Sequence, residues 1–358
     1  MRSVHGNIVN VLDKPTIVQG VCERASKSQI CAELILILHL ICTGMDSWGA
    51  LPFLLKTTLE DYHTTESLVY EKLTFDLGTD TKLSRWRDTV RKLGTRLNAR
   101  KFARKIIFVT VHSDLTRSDL FAGKDENGGD VSAEVEDFMT CLFGSPLEDI
   151  MYSSTLFMLT CGPLVTFQKS FLKLKTSISR LQPEYTIAFT QTDFISAAVK
   201  LFIVAYGIQV LIEGHVLADV LQDLLDVSLD LRMHSDVVLF HIQGIRLSNL
   251  VLSLLSNSPS SIISPSIVGY RYAWYHSYRR PWGIALPMGC PQCRSIHPWS
   301  PSKGDPKGTH SKARVSTCQS INCSFEAQSK PLLDEYQIVN GDRTSGWLKY
   351  IISAAETL

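Results

Sequence analysis

The chain has 358 residues, of which 45% are hydrophobic and 20% charged, and its formal net charge is +1. That length exceeds one ordinary core and suggests two domains. The near-neutral balance supplies no overall attraction for nucleic acid, a membrane surface or an acidic partner, so any such binding needs a local patch.

Nine cysteines are present, an odd number. The first 25 residues carry scattered charges (Arg2, Asp13, Lys14, Glu23, Arg24) and no apolar core of a secretory signal. Reduced thiols in the cytoplasm or nucleus are therefore expected. Two apolar stretches resemble membrane spans. Residues 30–45 contain Glu33 and His39 and fall short of the roughly 20 residues a span needs. Residues 194–212 contain Lys200 and Gly207 and run into Glu213 and His215, which suits a buried helix followed by a short strand. No membrane partner is expected.

In chain order, residues 7–12 read as a short strand. Residues 29–43 are apolar on every side and read as a buried helix begun by Ser26 or Ser28. A second helix is expected over about 47–61. Residues 67–77 alternate (Leu68, Tyr70, Leu73, Phe75), as a half-buried strand does. Over 82–101, Leu83, Trp86, Val90, Leu93 and Leu97 recur at spacings of three and four, with arginine and lysine between them. This is an amphipathic helix whose basic side faces solvent.

A strand over 105–111 ends at His112. Residues 113–131, rich in Asp, Gly, Lys and Asn, read as a long polar loop. Ser132 is then expected to cap a helix running to about Leu142. A strand over 155–160 ends at Cys161-Gly162. Helices follow at about 165–181, 193–204 and 214–231, with strands at 185–189, 208–212 and 237–241. This alternation predicts an α/β fold with a mostly parallel sheet covered by helices on both faces.

Near Ser256 the composition turns to Ser, Pro, Cys and aromatics. Two domains, 1–256 and 257–358, are expected. The triplet His-Ser-Asp recurs at 112–114 and 234–236, too short to mark a duplication. There is no GxxxxGK[ST] phosphate loop. Cys22, Cys31, Cys42 and Cys141 lie in apolar or helical contexts and read as core.

The C-terminal domain contains Cys290-Pro-Gln-Cys293 and Cys318-Gln-Ser-Ile-Asn-Cys323. Two close Cys pairs suit tetrahedral Zn2+ in a small zinc-ribbon-like module, with Zn–S near ~2.3 Å. His297 or His310 could stand in for Cys323. Four thiolates leave no open position for water, so the site is structural, and metal binding would supply folding energy on the order of 10 kcal/mol. Just upstream, Tyr270, Tyr272, Trp274, Tyr275, Tyr278 and Trp282 interleave with Arg271, Arg279 and Arg280. Such a segment could stack on nucleic-acid bases; packing of the module onto the sheet is the favoured reading.

Two neighbouring parallel strands ending at His112 and Cys161 would bring an imidazole and a thiol to one rim of the sheet, where open α/β sheets keep their chemistry. A histidine beside a cysteine can take its proton and leave the reactive thiolate. The run Ile106–Asp114 (IIFVTVHSD), a polar loop, a helix and Leu156–Gly162 (LFMLTCG) resemble the caspase–hemoglobinase fold, including its CHAT-type cysteine peptidases. The similarity covers about residues 67–241, with the strand at 7–12 as a further candidate. The chain is also similar to uncharacterised fungal proteins that join such a domain to a Cys-rich tail.

The resemblance implies peptide-bond hydrolysis of a peptide or protein substrate, with Cys161 as nucleophile and His112 as general base and then acid. It implies an oxyanion site from backbone N–H groups of Cys161 and Gly162 and of Ser113 in the turn after His112. In that family a Gly usually follows the His; here Ser113 keeps the donor but restricts φ. Pro163 after Gly162 also departs from the pattern. Asp114 and Asp119 lie close to His112, where they could orient it, although solvation of the loop is the favoured reading. The alternative to a peptidase is a non-enzymatic scaffold whose zinc module binds nucleic acid or protein.

Overall fold

The computed structural model describes residues 33–45, 50–243, 266–296, 299–304, 312–342 and 344–352. The strand expected at 7–12, the boundary at 256/257, Cys22, Cys31, His297 and His310 all lie outside them.

The first part of the chain runs β1 (Ile35–Cys42), α1 (Leu51–Glu60), β2 (Leu68–Phe75), α2 (Asp80–Asn98), β3 (Arg104–Thr110), β4 (Leu120–Lys124) and β5 (Asp130–Ala133). Next come α3 (Val135–Leu142), α4 (Glu148–Met151), β6 (Thr155–Leu159), α5 (Pro163–Thr166), α6 (Gln168–Leu181) and β7 (Tyr185–Phe189). Then follow α7 (Ser196–Tyr206), a π-helical turn (Gly207–Ile212), α8 (Leu217–Asp226), α9 (Leu229–His234) and β8 (Val237–Gln243). The C-terminal stretch adds β9 (Ser266–His276), β10 (Lys303–Gly304), β11 (Arg314–Thr317), β12 (Glu326–Ser329), β13 (Gln337–Val339) and β14 (Ser345–Ile352).

The fold is α/β, built on a nine-stranded sheet in the order β13-β14-β9-β8-β7-β6-β3-β1-β2. From β2 to β7 the neighbours pair in parallel. From β7 onward every pairing is antiparallel, so β8 and β14 run against the other strands. Alternate residues of β1 enter separate apolar clusters. Leu36, Leu38 and Leu40 pack with Trp86 and Val90 of α2, Phe138 of α3 and Phe171 of α6. Ile35 and Ile37 pack with Leu51 and Leu55 of α1 and Phe202 of α7. Phe108 and Phe157 stack across β3 and β6, with ring centroids 4.7 Å apart.

Several elements depart from the sequence reading. Residues 35–42 form a strand where a helix was expected. A strand between two neighbours, buried along its whole length, is as uniformly apolar as a buried helix, and periodicity does not separate them. The expected 113–131 loop contains the β4–β5 hairpin. Its Asp- and Gly-rich residues make the turn, where the Asp125 carboxylate accepts from the N–H groups of Asn127 (2.8 Å) and Gly129 (2.7 Å). Ser132 therefore lies in β5, and Glu134 occupies the N-cap of α3.

The expected strand at 208–212 is the π-helical continuation of α7, because an apolar run fits either state. The helix expected at 214–231 breaks at Ser228, whose hydroxyl accepts from Leu231 N–H and starts α9. The helix expected at 165–181 divides at Phe167 into α5 and α6.

The sheet also passes the expected domain boundary. β9 pairs with β8 over residues 237–243, and β14 pairs with β9 along its whole length. Residues 277–336, carrying the Cys pairs, thus enter as an insertion between sheet strands. No helix among the described residues is long and apolar enough to cross a membrane.

Candidate functional sites at the sheet rim and the Cys cluster

β1 lies between β2 and β3, so the chain leaves it in both directions and creates a switch point at the carboxyl ends of the strands. β3 and β6 are parallel neighbours with Thr110 opposite Leu159, and Val111 N–H donates to Leu159 O at 3.2 Å. His112 and Cys161 each stand two residues beyond that last pair, on the same rim. His112 is exposed, while Cys161 is 9% exposed. The imidazole contacts Phe121 of the hairpin edge-on, with centroids 6.1 Å apart. Among the described residues no hydrogen bond joins the ring to the Cys161 sulfur.

The rim backbone is tightly specified. The Ser113 hydroxyl donates to Cys161 O at 3.3 Å, and Gly162 N–H donates to Gln191 O at 2.6 Å. A Cβ on Gly162 would lie 2.1 Å from Thr190 O, so only glycine fits between the strand ends. Gly162, counted above among the oxyanion donors, has its N–H already engaged by Gln191. By contrast, no backbone carbonyl among the described residues accepts from the N–H of Ser113 or Cys161. Ser113 avoids positive φ, so no backbone strain is stored at that position.

Asp114 and Asp119 do not orient His112. The Asp114 carboxylate caps its own turn, accepting from Thr116 Oγ1 (2.6 Å) and from the N–H groups of Arg117 (2.7 Å) and Thr116 (2.8 Å). These bonds, the Thr116 hydroxyl first, hold its pKa down at about 2. Asp119 faces Arg117 at 3.5 Å.

A buried polar network lies just before β8 and is tied to the rim by the Thr190–Asp236 hydrogen bonds. Asp236, at the start of β8, pairs with Arg271 (2.6 Å) and Arg280 (3.2 Å). Arg280 also donates to Gly283 O (2.7 Å), Arg232 O (2.8 Å) and Met233 O (3.0 Å). Two of the three arginines in the aromatic segment are therefore consumed inside the protein. Tyr272 and Tyr275 are buried with them, while Tyr278 and Arg279 stay exposed. The segment is strand β9 and its following turn, and packing is its visible role. The only sequence signal for Asp236 was the second His-Ser-Asp triplet.

The second site is the Cys cluster. The sulfurs of Cys290, Cys293, Cys318 and Cys323 all lie within 4.8 Å of one another. The closest contacts cross between the two pairs: Cys290 to Cys323 at 3.7 Å and Cys293 to Cys318 at 3.6 Å. β11 ends at Thr317 and delivers Cys318 directly into the second turn, where Cys318 N–H donates to Phe325 O at 2.9 Å. In the first turn, Arg294 N–H donates to Cys290 O at 2.8 Å, and Cys290 N–H to Ser295 O at 2.9 Å. Arg294 and Asn322 adopt left-handed φ of 60° and 63° beside the last Cys of each pair. The Ser295 hydroxyl, then its N–H, lowers the Cys293 pKa. At Cys323 the Phe325 N–H pulls the same way, but burial and the three neighbouring thiols outweigh it and raise the pKa, so the thiols do not all ionise together without a cation. This arrangement could hold a metal ion.

No protein-family model matches the chain, and no curated protein sequence matches it.

Proposed function

We propose that this protein is a cysteine-peptidase-like hydrolase of the caspase–hemoglobinase type, with Cys161 and His112 as its catalytic pair and a structural Zn2+ on the four C-terminal cysteines. One observation carries the peptidase reading: His112 and Cys161 follow parallel neighbouring strands in matching register, at the rim beside the switch point. Further support comes from the backbone. The N–H groups of Cys161 and Ser113, which the resemblance assigns to the oxyanion, have no backbone acceptor among the described residues.

In this reading the Cys161 thiol gives its proton to His112 as sulfur attacks the peptide carbonyl carbon. The charge that develops on oxygen meets the Cys161 and Ser113 N–H groups. As the C–N bond breaks, the His112 proton passes to the leaving amine and a thioester remains. Water, deprotonated by His112, then hydrolyses the thioester and frees Cys161.

The donor set favours zinc. A tetrahedron with Zn–S bonds of ~2.3 Å has sulfur–sulfur edges of ~3.8 Å, close to the 3.6 and 3.7 Å contacts between the pairs. Four protein thiolates leave no open position, so bound zinc would hold the insertion in shape for a partner. Reduced thiols of this kind suit the cytoplasm or nucleus. The test of the peptidase reading is digestion of a diverse peptide library by the zinc-loaded protein, read by mass spectrometry. Cleavage that disappears in both Cys161→Ala and His112→Ala is expected. Equal cleavage by wild type and Cys161→Ala would refute the assignment.

A second reading is favoured by the missing hydrogen bond between imidazole and sulfur. In it the sheet is a non-catalytic scaffold, and the zinc module binds nucleic acid or protein through surfaces that include Tyr278 and Arg279. Salt-sensitive binding of single-stranded nucleic acid, lost in Arg279→Ala, would favour that reading.

A further inference from the structure

The two His-Ser-Asp triplets, unrelated by any repeat in the chain, both bear on the Cys161–Gly162 junction, the first directly and the second through Thr190 and Gln191. On one side, the Ser113 hydroxyl donates to Cys161 O at 3.3 Å. On the other, the Ser235 hydroxyl accepts from the N–H groups of Thr190 (3.0 Å) and Gln191 (3.3 Å). Asp236 N–H also donates to Thr190 Oγ1 at 3.0 Å, and Thr190 N–H to Asp236 O at 3.2 Å. The segment so fixed presents Gln191 O to Gly162 N–H at 2.6 Å. Both serines are buried, Ser113 at 5% and Ser235 at 2% exposure.

We infer that Ser113 and Ser235 are positioning residues that clamp the Cys161–Gly162 peptide from opposite sides and so set the direction of the Cys161 thiol. The inference rests on the peptidase reading for its catalytic meaning, but the clamp itself is a property of the backbone. Three features support it. Gly162 has no room to shift towards β7, since even a Cβ would collide with Thr190 O. The carbonyl of Cys161 and the N–H of Gly162 are both engaged, which fixes the plane at the Cys–Gly junction. The hydroxyl of Ser113 does something the usual glycine could not, which gives the departure at this position a physical role.

Ser228 supplies a matched control. It is equally buried, at 1% exposure; its hydroxyl donates to Ala198 O (2.8 Å) and accepts from Leu231 N–H (3.4 Å), at the far end of α9 from Ser235 and with no bond to Cys161, Gly162, Thr190 or Gln191. Ser113→Ala, Ser235→Ala and Ser228→Ala are to be compared by site-resolved amide exchange and by the pH dependence of Cys161 alkylation by iodoacetamide. Ser235→Ala should speed exchange at Gly162 by about tenfold, and Ser228→Ala should not. Both Ser113→Ala and Ser235→Ala should shift the alkylation midpoint of Cys161, while Ser228→Ala leaves it at the wild-type value.

Ser113→Thr, which keeps the hydroxyl, should restore the wild-type profile. Wild-type exchange at Gly162 in Ser235→Ala, or one common alkylation profile for all three alanine variants, overturns the clamp. A Gly162 amide loosened by Ser235→Ala in a protein whose Cys161 is indifferent to His112→Ala would uphold the clamp and remove the peptidase reading instead. Should Ser235→Ala fail to fold, the Ser113 pair decides: a profile identical in Ser113→Ala and wild type overturns the proposal.

Discussion

The parallel half of the sheet and the Cys-bearing insertion are stabilised by different physics. In β1, β3 and β6 the side chains that hold the structure are large and apolar, with Leu36, Leu38, Phe108 and Phe157 all 0% exposed. Within 284–330 the buried described residues are Cys290, Ser302, Ala313, Ser316, Cys318 and Ser329, while Met288, Ile296 and Ile321 are 70–92% exposed. With thiols and serines at its centre, the 284–330 stretch cannot draw its stability from apolar burial; the insertion's apolar contacts lie at its base, where Trp282, Leu333 and Tyr336 pack on the sheet. The lesson is that one chain uses two sources of order, joined at Arg280 and Asp236.

The largest effect expected from this contrast is metal removal. Chelation should remove folding energy on the order of 10 kcal/mol from the insertion. Amide exchange should then rise between Cys290 and Ser329 while β1, β3 and β6 stay protected. Unchanged exchange in the insertion would erase the distinction. Next, Phe157→Ala should cost about 3–5 kcal/mol in urea titration, because its ring stacks on Phe108 and meets Tyr206 edge-on at 5.2 Å. The loss should be of similar size with and without metal.

A pH effect on stability is expected within the sheet. His39 is 1% exposed, and its Nε2 pairs with Thr110 Oγ1 at 2.9 Å. Burial, and then Lys72, lower its pKa from 6.5 to about 4. Between those values the unfolded chain binds the extra proton. Stability is therefore complete above pH ~6.5 and falls as the pH drops towards 4, by roughly 3 kcal/mol. His39→Gln should flatten that part of the stability profile; an unchanged slope would assign it to other groups. The smallest effect is expected on the basic side of α2. The Arg91–Asp88 pair is exposed on both sides at 2.6 Å, so Arg91→Ala should change stability by less than about 0.5 kcal/mol.

The contrast also governs what could be read from the sequence. The long amphipathic helix α2 was legible because its apolar period is unambiguous, and strand 185–189 because it is short, mostly aromatic and β-branched, and preceded by Pro183. The four cysteines were legible because metal chemistry restricts residue type and spacing. β1 was misread because a fully buried strand has no polar side to reveal its period. The β4–β5 hairpin was hidden by a turn whose Asp and Gly residues outnumber its strand signals. The rim network of Ser113, Ser235, Gln191 and Asp236 depends on backbone carbonyls and N–H groups from four separated segments, and no local pattern encodes that meeting. The rim positions of His112 and Cys161 were legible because each follows a recognisable strand; the matching register of those strands is a tertiary fact.

The most direct test of the central claim is the site-resolved alkylation rate of every non-cluster cysteine in the zinc-loaded protein across pH, with wild type beside His112→Ala. If His112 and Cys161 work as a pair, Cys161 reacts far faster than Cys42 or Cys141, with a bell-shaped pH dependence that His112→Ala abolishes. If Cys161 reacts no faster than Cys141, with a profile indifferent to His112, the rim is not a catalytic site and the protein is a metal-bearing scaffold.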